Sequence, residues 1–377
     1  MLQLTPELLQ RYDVPGPRYT SYPTADRFVQ AFTEQDYIQA LHDRRDGIGG
    51  RAQPLSLYVH LPFCASLCYY CACNKIITKH PERAREYLRW LELEVALQVR
   101  HLGTGHSVSQ LHLGGGTPTF LSDDELRHLM HVLRSHFNLV PGGEYSIEID
   151  PRTVSAERLQ VLHQLGFNRL SFGVQDFDPE VQKAVHRMQP ADQTFALTRA
   201  ARDIGFESVN VDLIYGLPLQ TETGFERTID LVNRLRPDRI ALYAYAHLPA
   251  RFKPQRRIHT ADLPAPGDKL QMLIAAQHQL LQAGYDYIGM DHFALPDDAL
   301  AVAQRMGHLH RNFQGYSTQP DCDLLALGVS SIGSSRSSGS GRGRRLRSFS
   351  GMGVSLSWLL RIGAGGLFEK ACRSGLL

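Results

Sequence analysis

The chain has 377 residues, 43% of them hydrophobic, with 40 Lys and Arg against 38 Asp and Glu for a formal net charge of +2. That length suits one barrel-sized domain with an appendage, and no apolar run approaches the roughly 20 residues that a membrane-spanning helix needs. The charge is uneven: residues 334–377 carry seven Arg and one Lys against one acid, a net +7, which leaves −5 on residues 1–333 and no electrostatic case for nucleic-acid binding by the body.

Residues 1–50 precede the first strand. Thr5 as N-cap and Pro6 at the first helical position predict a short helix over 5–13. Pro17 and Pro23 keep 17–24 extended. From there strand-like and helix-like runs alternate. Residues 55–61 precede an amphipathic stretch at 83–100, and 107–113 precede a helix opened by the capping box Ser122–Glu125. The further pairs are 145–149 with 155–165, 169–174 with 192–204, 209–215 with 221–234, and 239–246 with 266–283. Six such units predict an α/β fold with a parallel barrel. Chemistry in barrels sits at the C-terminal strand ends, and Cys64, Gly114, Asp150, Gln175, Gly216 and His247 all lie just past a strand-like run. A closed eight-unit barrel is the alternative, but two more units are not evident.

Four cysteines fall within ten residues after the first strand: Cys64, Cys68, Cys71 and Cys73. Three thiolates on one loop suit an iron–sulfur cluster that keeps one iron without a protein ligand, as catalytic metal sites keep an open position. A structural zinc site is the competing reading, but it usually takes two separated cysteine pairs, and Cys322 and Cys372 are isolated. A disulfide framework fits poorly with six cysteines in this length and no signal peptide, which points to a cytoplasmic protein.

Other motifs are readable in two ways. Gly114, Gly115 and Gly116 make either a tight turn or a close backbone approach to a ligand. Glu148 and Asp150 alternate with Ile147 and Ile149, so they are either inward carboxylates needing a partner or a solvated strand end. Gln175, Arg187 and Asp212, taken singly, are ordinary polar residues, and His60 and His247 are assigned no metal.

The cysteine spacing C-x3-C-x2-C resembles the signature of the radical S-adenosylmethionine (SAM) superfamily. Tyr58-Val-His-Leu-Pro-Phe-Cys64, Pro17-Arg-Tyr-Thr-Ser-Tyr-Pro-Thr24, Gly114-Gly-Gly-Thr-Pro-Thr119, Ile147-Glu-Ile-Asp150, Gly173-Val-Gln-Asp-Phe177, Asp212-Leu-Ile-Tyr-Gly-Leu-Pro218 and His310-Arg-Asn-Phe-Gln-Gly-Tyr316 narrow it further. Over residues 10–333 the chain resembles the oxygen-independent coproporphyrinogen III oxidases of haem biosynthesis. That resemblance implies an open (β/α)6 three-quarter TIM-type barrel over 51–290, an N-terminal extension over 1–50 wrapping the site, and a family-like segment over 291–333 reaching it. It implies a [4Fe-4S] cluster on Cys64, Cys68 and Cys71, with SAM chelating the fourth iron, and two SAM molecules in all. Gly115, Gly116, Thr117 and Glu148 would hold the first SAM. Gln175, Arg187 and Asp212 would line the second, with Tyr58, Tyr70, Ala246 and Ile332 as further contacts. Tyr70 departs from the family's usual Phe. Cys73, Phe313 and Gln314 are the implied catalytic residues, although the role of Cys73 stays open. Two propionates of coproporphyrinogen III would become vinyls through a 5′-deoxyadenosyl radical. A low-potential donor such as a flavodoxin-type protein would supply electrons to a monomer. A haem-binding chaperone of the same superfamily is the non-catalytic alternative.

The resemblance stops abruptly after Ile332. The Ser/Gly/Arg-rich stretch that follows cannot bury enough apolar surface to offset chain entropy, so 334–377 reads as a disordered tail without homology. An RNA-binding arm is disfavoured, since no aromatic residues interleave the basic run. A frameshift near residue 333 would account for the change and for the missing helical C-terminal domain, and an inactive remnant is the corresponding reading of function.

Overall fold

The computed structural model describes residues 32–47, 53–312, 315–319, 322–337 and 345–350. The helix expected over 5–13, the extended 17–24 segment, Phe313 and Gln314 lie outside the described residues. In chain order the elements are α1 (Glu34–Arg45), β1 (Leu55–Leu61), α2 (Pro81–Leu102), β2 (His106–Gly115), α3 (Asp123–His136), β3 (Phe137–Ile149), α4 (Ala156–Gln164), β4 (Arg169–Gln175), α5 (Pro179–Ala184), α6 (Ala191–Ile204) and β5 (Ser208–Tyr215). There follow α7 (Glu222–Leu235), β6 (Arg239–Ala244), α8 (Pro266–Gln282), β7 (Asp286–Gly289), β8 (His292–Ala294), α9 (Ala299–Arg305), β9 (His310–Asn312), β10 (Gly315–Ser317), β11 (Asp323–Leu327), β12 (Ile332–Ser337) and β13 (Arg345–Ser350). The six expected strand–helix units are β1 to β6 with their following helices. Local chemistry sets the helix starts. Ser122 and Glu125 exchange the two hydrogen bonds of a capping box at α3, and Thr33 and Asp36 do the same at α1.

The chain divides into two compact units. One gathers the described residues of 17–65, 74–147 and 308–377, and the other those of 66–73 and 148–307. In the first, β1 pairs in parallel with β2 on one side and β11 on the other, and β2 pairs in parallel with β3. Leu57, Val59, Leu61, Leu111, Leu113 and Ile147 are fully buried, and each such side chain stabilises the fold by about 1.5–3 kcal/mol. The near-continuous burial along β1 is that of a parallel strand covered on both faces.

β11 is a seventh strand beside β1, where a family-like segment with no assigned element was expected. Its Leu324, Leu325, Ala326 and Leu327 are all buried, so a short apolar run with no alternation forms a buried parallel strand. β12 then pairs antiparallel with β11, and β13 with β12. Residues 334–337 and 345–350 therefore hydrogen-bond as strands, within the stretch expected to lack order. The backbone groups that β11 leaves open give β12 a template that composition does not advertise.

The second unit holds the parallel set β4–β5–β6, continued antiparallel by β8 and then β7. Helix α4 packs with α6 and α7 with α8. α6 stops at Gly205, whose φ of 104° is a left-handed cap. No helix among the described residues is long and apolar enough to cross a membrane.

Candidate active site

In the first unit the glycine loop after β2 lies against the segment that carries Cys64. Gly116 N–H donates to Leu61 O at 2.9 Å and Thr117 N–H to Phe63 O at 2.8 Å. The Thr117 hydroxyl reaches the Cys64 sulfur at 3.5 Å. Glycine is required twice. A Cβ at Gly115, where φ is +111°, would lie 2.6 Å from the His60 ring, and one at Gly116 would lie 2.7 Å from the backbone of Pro62 and Phe63. His60 itself is structural. Its Nε2 donates to Asn74 O at 3.0 Å, which leaves Nδ1 to accept from the Tyr58 hydroxyl at 3.1 Å. Tyr58 stacks on His112, with ring centroids 5.8 Å apart.

The sheet supporting this loop is braced by polar groups the sequence does not flag. Glu94 accepts Gly328 N–H at 2.9 Å and the Gln98 amide at 3.3 Å. The Tyr87 hydroxyl donates to His60 O and accepts Val329 N–H. Burial, and then the charge of Glu94, push the Tyr37 and Tyr87 phenols well above their ordinary range. A polar cavity of about 80 Å³ is lined by Gln110, His112, Glu144, Ser146, Asn312 and Tyr316.

In the second unit Cys68, Asp150, Arg152 and Arg187 form one cluster. Arg187 Nη1 donates to Asp150 Oδ2 at 3.1 Å and to the Cys68 sulfur at 3.5 Å, while Nη2 donates to Gly173 O at 2.6 Å. Arg152 grips Asp150 through Nε and Nη2, at 2.9 and 2.6 Å, and Nη2 also points at the Cys68 sulfur from 3.7 Å. Burial opposes ionisation of Asp150, but the Arg152 hydrogen bonds and the two guanidinium charges outweigh it, so its carboxyl titrates below the usual range. Burial raises the Tyr70 phenol well above its ordinary value. Among the described residues Arg187 Nε is buried without a partner, which marks a donor still to be satisfied.

The remaining second-unit residues are held by their strands. The Asp212 carboxylate accepts from the Ser171 hydroxyl at 3.0 Å and the Asn210 amide at 2.9 Å. Gln175 has φ of 71°, an uncommon backbone for a residue with a side chain. Ala246 O and Tyr70 O both accept from the Gln255 amide, at 3.1 and 3.0 Å, and Gln255 Oε1 accepts Leu248 N–H at 2.6 Å. Nothing in the sequence marks Arg152 or Gln255. The one signal available for Arg152 was its place directly after the Asp150-Pro151 strand end. Cys73 is exposed. Ile332 opens β12, and Glu148 shares a β3 face with Glu144 and Ser146.

Cys64, Cys68, Cys71 and Cys73 are not in disulfides. Among the described residues no three His, Cys, Asp or Glu side chains gather as ligands of a single metal ion. A cube of irons takes each thiolate on a different iron, so its ligand sulfurs stand farther apart than those around one ion. The donor chemistry fits such a cluster: three thiols follow β1, and two cationic N–H donors complement the charge of a metal-bound Cys68 sulfur.

Residues 58–232 match the family model for the radical SAM superfamily. The chain is 56% identical over 328 residues to the oxygen-independent coproporphyrinogen III oxidase of Pseudomonas aeruginosa, covering 86% of this chain and 70% of that protein. It is 53% identical over 325 residues to the Escherichia coli protein of the same name, with the same coverage. The solved structure of coproporphyrinogen III oxidase from Escherichia coli, described as a radical SAM enzyme, superposes with a TM-score of 0.82 at 47% identity, covering 92% of this chain and 80% of that one.

Proposed function

The chain belongs to the oxygen-independent coproporphyrinogen III oxidase family, with the radical SAM α/β fold, and on that premise we propose that it converts coproporphyrinogen III to protoporphyrinogen IX without oxygen. Cys64, Cys68 and Cys71 hold a [4Fe-4S] cluster. Gly115, Gly116, Thr117 and Glu148 hold the SAM that caps it, and Gln175, Arg187 and Asp212 line the place of a second SAM. When bound, the cluster and SAM would supply a hydrogen-abstracting radical for the β-carbon of a propionate, and loss of CO2, with one electron passing to an external acceptor, would leave a vinyl group. Two propionates react, which is the chemical reason for two SAM molecules.

The protein's own contribution is placement. The glycine loop presents backbone close to the ligand because no Cβ intervenes at Gly115 or Gly116. Ser171 and Asn210 fix the Asp212 carboxylate in position to accept two hydrogen bonds from a ribose diol. The observation that carries the reading is the pair of guanidinium groups aimed at Cys68, the middle residue of the C-x3-C-x2-C loop.

The test is anaerobic incubation with SAM, coproporphyrinogen III and a low-potential reductant. Methionine, 5′-deoxyadenosine and CO2 are expected products. Protein that holds four irons yet releases none of them sinks the proposal.

A further inference from the structure

We propose that Arg152 sets the reduction potential of the cluster, acting through the sulfur of Cys68 with Asp150 as its brace. The inference rests on the preceding reading, in which Cys68 is a cluster ligand. Among the described contacts, Arg152 spends its guanidinium on two groups only, Asp150 and the Cys68 sulfur. Its position is fixed from both ends. Residues Pro151–Thr153 form a single tight turn, Asp150 Oδ1 accepts Arg152 N–H at 3.1 Å, and the Thr153 hydroxyl closes onto Asp150 O at 2.9 Å. The Arg152 and Asp150 side chains are 19% and 8% exposed, so water screens the pair weakly.

Charge decides the direction. Two guanidinium groups and one carboxylate leave a net positive charge beside Cys68. Asp150 Oδ2 takes Arg152 Nη2 and Arg187 Nη1 together, so both cations are anchored by one acid. The electron transfer concerned is a one-electron reduction of the cluster by a low-potential donor, with no bond made or broken. The reduced cluster is the more negative form. An N–H donor on a ligand sulfur stabilises that form and raises the potential. Arg187 is also tied to Gly173 O and is drawn on for SAM, which leaves Arg152 as the group whose described contacts serve the sulfur and its brace alone.

The experiment uses anaerobically reconstituted full-length protein, titrated with redox mediators and followed by EPR without substrate. For Arg152→Gln, the ratio of reduced to oxidised cluster at a fixed poise is expected to fall about tenfold, a shift of about 59 mV for a one-electron couple. Arg152→Lys, which keeps the charge, is expected to recover at least half of it. Asp150→Asn removes the opposing negative charge and is expected to move the potential the other way. Arg305→Gln, which breaks an exposed ion pair with Asp286, is expected to move nothing. A potential for Arg152→Gln equal to that of the parent, with four irons retained, overturns the inference. If Arg152→Gln fails to load, the upward shift in Asp150→Asn decides: no shift or a fall overturns it. A parent protein that takes up no iron overturns the underlying reading and this inference with it, a result distinct from an iron-loaded parent whose variants do not differ.

Discussion

Replacing Gly116 by Ala tests whether the glycine loop and the cysteine loop are held as one piece. The new methyl would sit 2.7 Å from Pro62 C, Pro62 O and Phe63 O. These are backbone atoms, so no side chain can swing aside. The loop must retreat, and the hydrogen bonds from Gly116 N–H to Leu61 O and Thr117 N–H to Phe63 O lengthen or break. Two such bonds contribute about 1–3 kcal/mol net. The lower unfolded-state entropy of Ala returns about 0.4–1 kcal/mol. The balance is a loss of up to about 2.6 kcal/mol, which at a urea slope of about 3 kcal/mol/M lowers the unfolding midpoint by up to about 0.9 M. Equilibrium unfolding of the loaded protein in urea reads this directly, and SAM titration of the same sample is expected to show binding weakened at least tenfold. An unchanged midpoint with unchanged SAM binding would refute the steric argument.

Asp150→Ala removes the buried carboxylate between the buried Arg187 and the half-buried Arg152 guanidinium and is expected to destabilise the protein by about 3–5 kcal/mol, read by chemical denaturation. Because the folded Asp150 titrates below its ordinary value of 3.8, its stabilisation is complete above that value and is lost as pH falls through the lower folded one. Asp150→Asn is therefore expected to flatten this part of a stability profile recorded downward from pH 5. Gln255→Leu strips three backbone partners from a residue that is 1% exposed. Amide hydrogen exchange is expected to speed up across residues 66–73, and unchanged exchange there would deny Gln255 its positioning role. Cys64→Ala, Cys68→Ala or Cys71→Ala is expected to abolish stable iron binding, whereas Cys73→Ala retains about four irons per chain by anaerobic iron assay.

The strand–helix rhythm was legible because it is written in local chemistry. The 83–100 stretch became Pro81–Leu102, and Ser122 and Glu125 capped α3 as their spacing requires. β3 began earlier than its alternating pattern suggested, at Phe137 rather than 145, because Pro141 and the glycines after it read as a turn yet remain within the strand. β11 was illegible as an element: five residues with no alternation carry no period to detect. On the candidate site, Cys64, Gly115 and Gly116 stand in readable motifs, and Arg187 was named only through the family resemblance. Arg152, Gln255 and Glu94 were not legible, since each also bonds to a partner 84 to 234 residues distant, and sequence spacing holds no trace of such pairings.

The tie from Gln255 to the carbonyl of Tyr70 spans 185 residues. A ribosome adding about 5–20 residues per second needs roughly 10–40 s to make that stretch. Throughout that interval the nascent cysteine segment waits without the clasp that will hold it. The clasp on Tyr70 O and Ala246 O can therefore close only after Gln255 has left the exit tunnel.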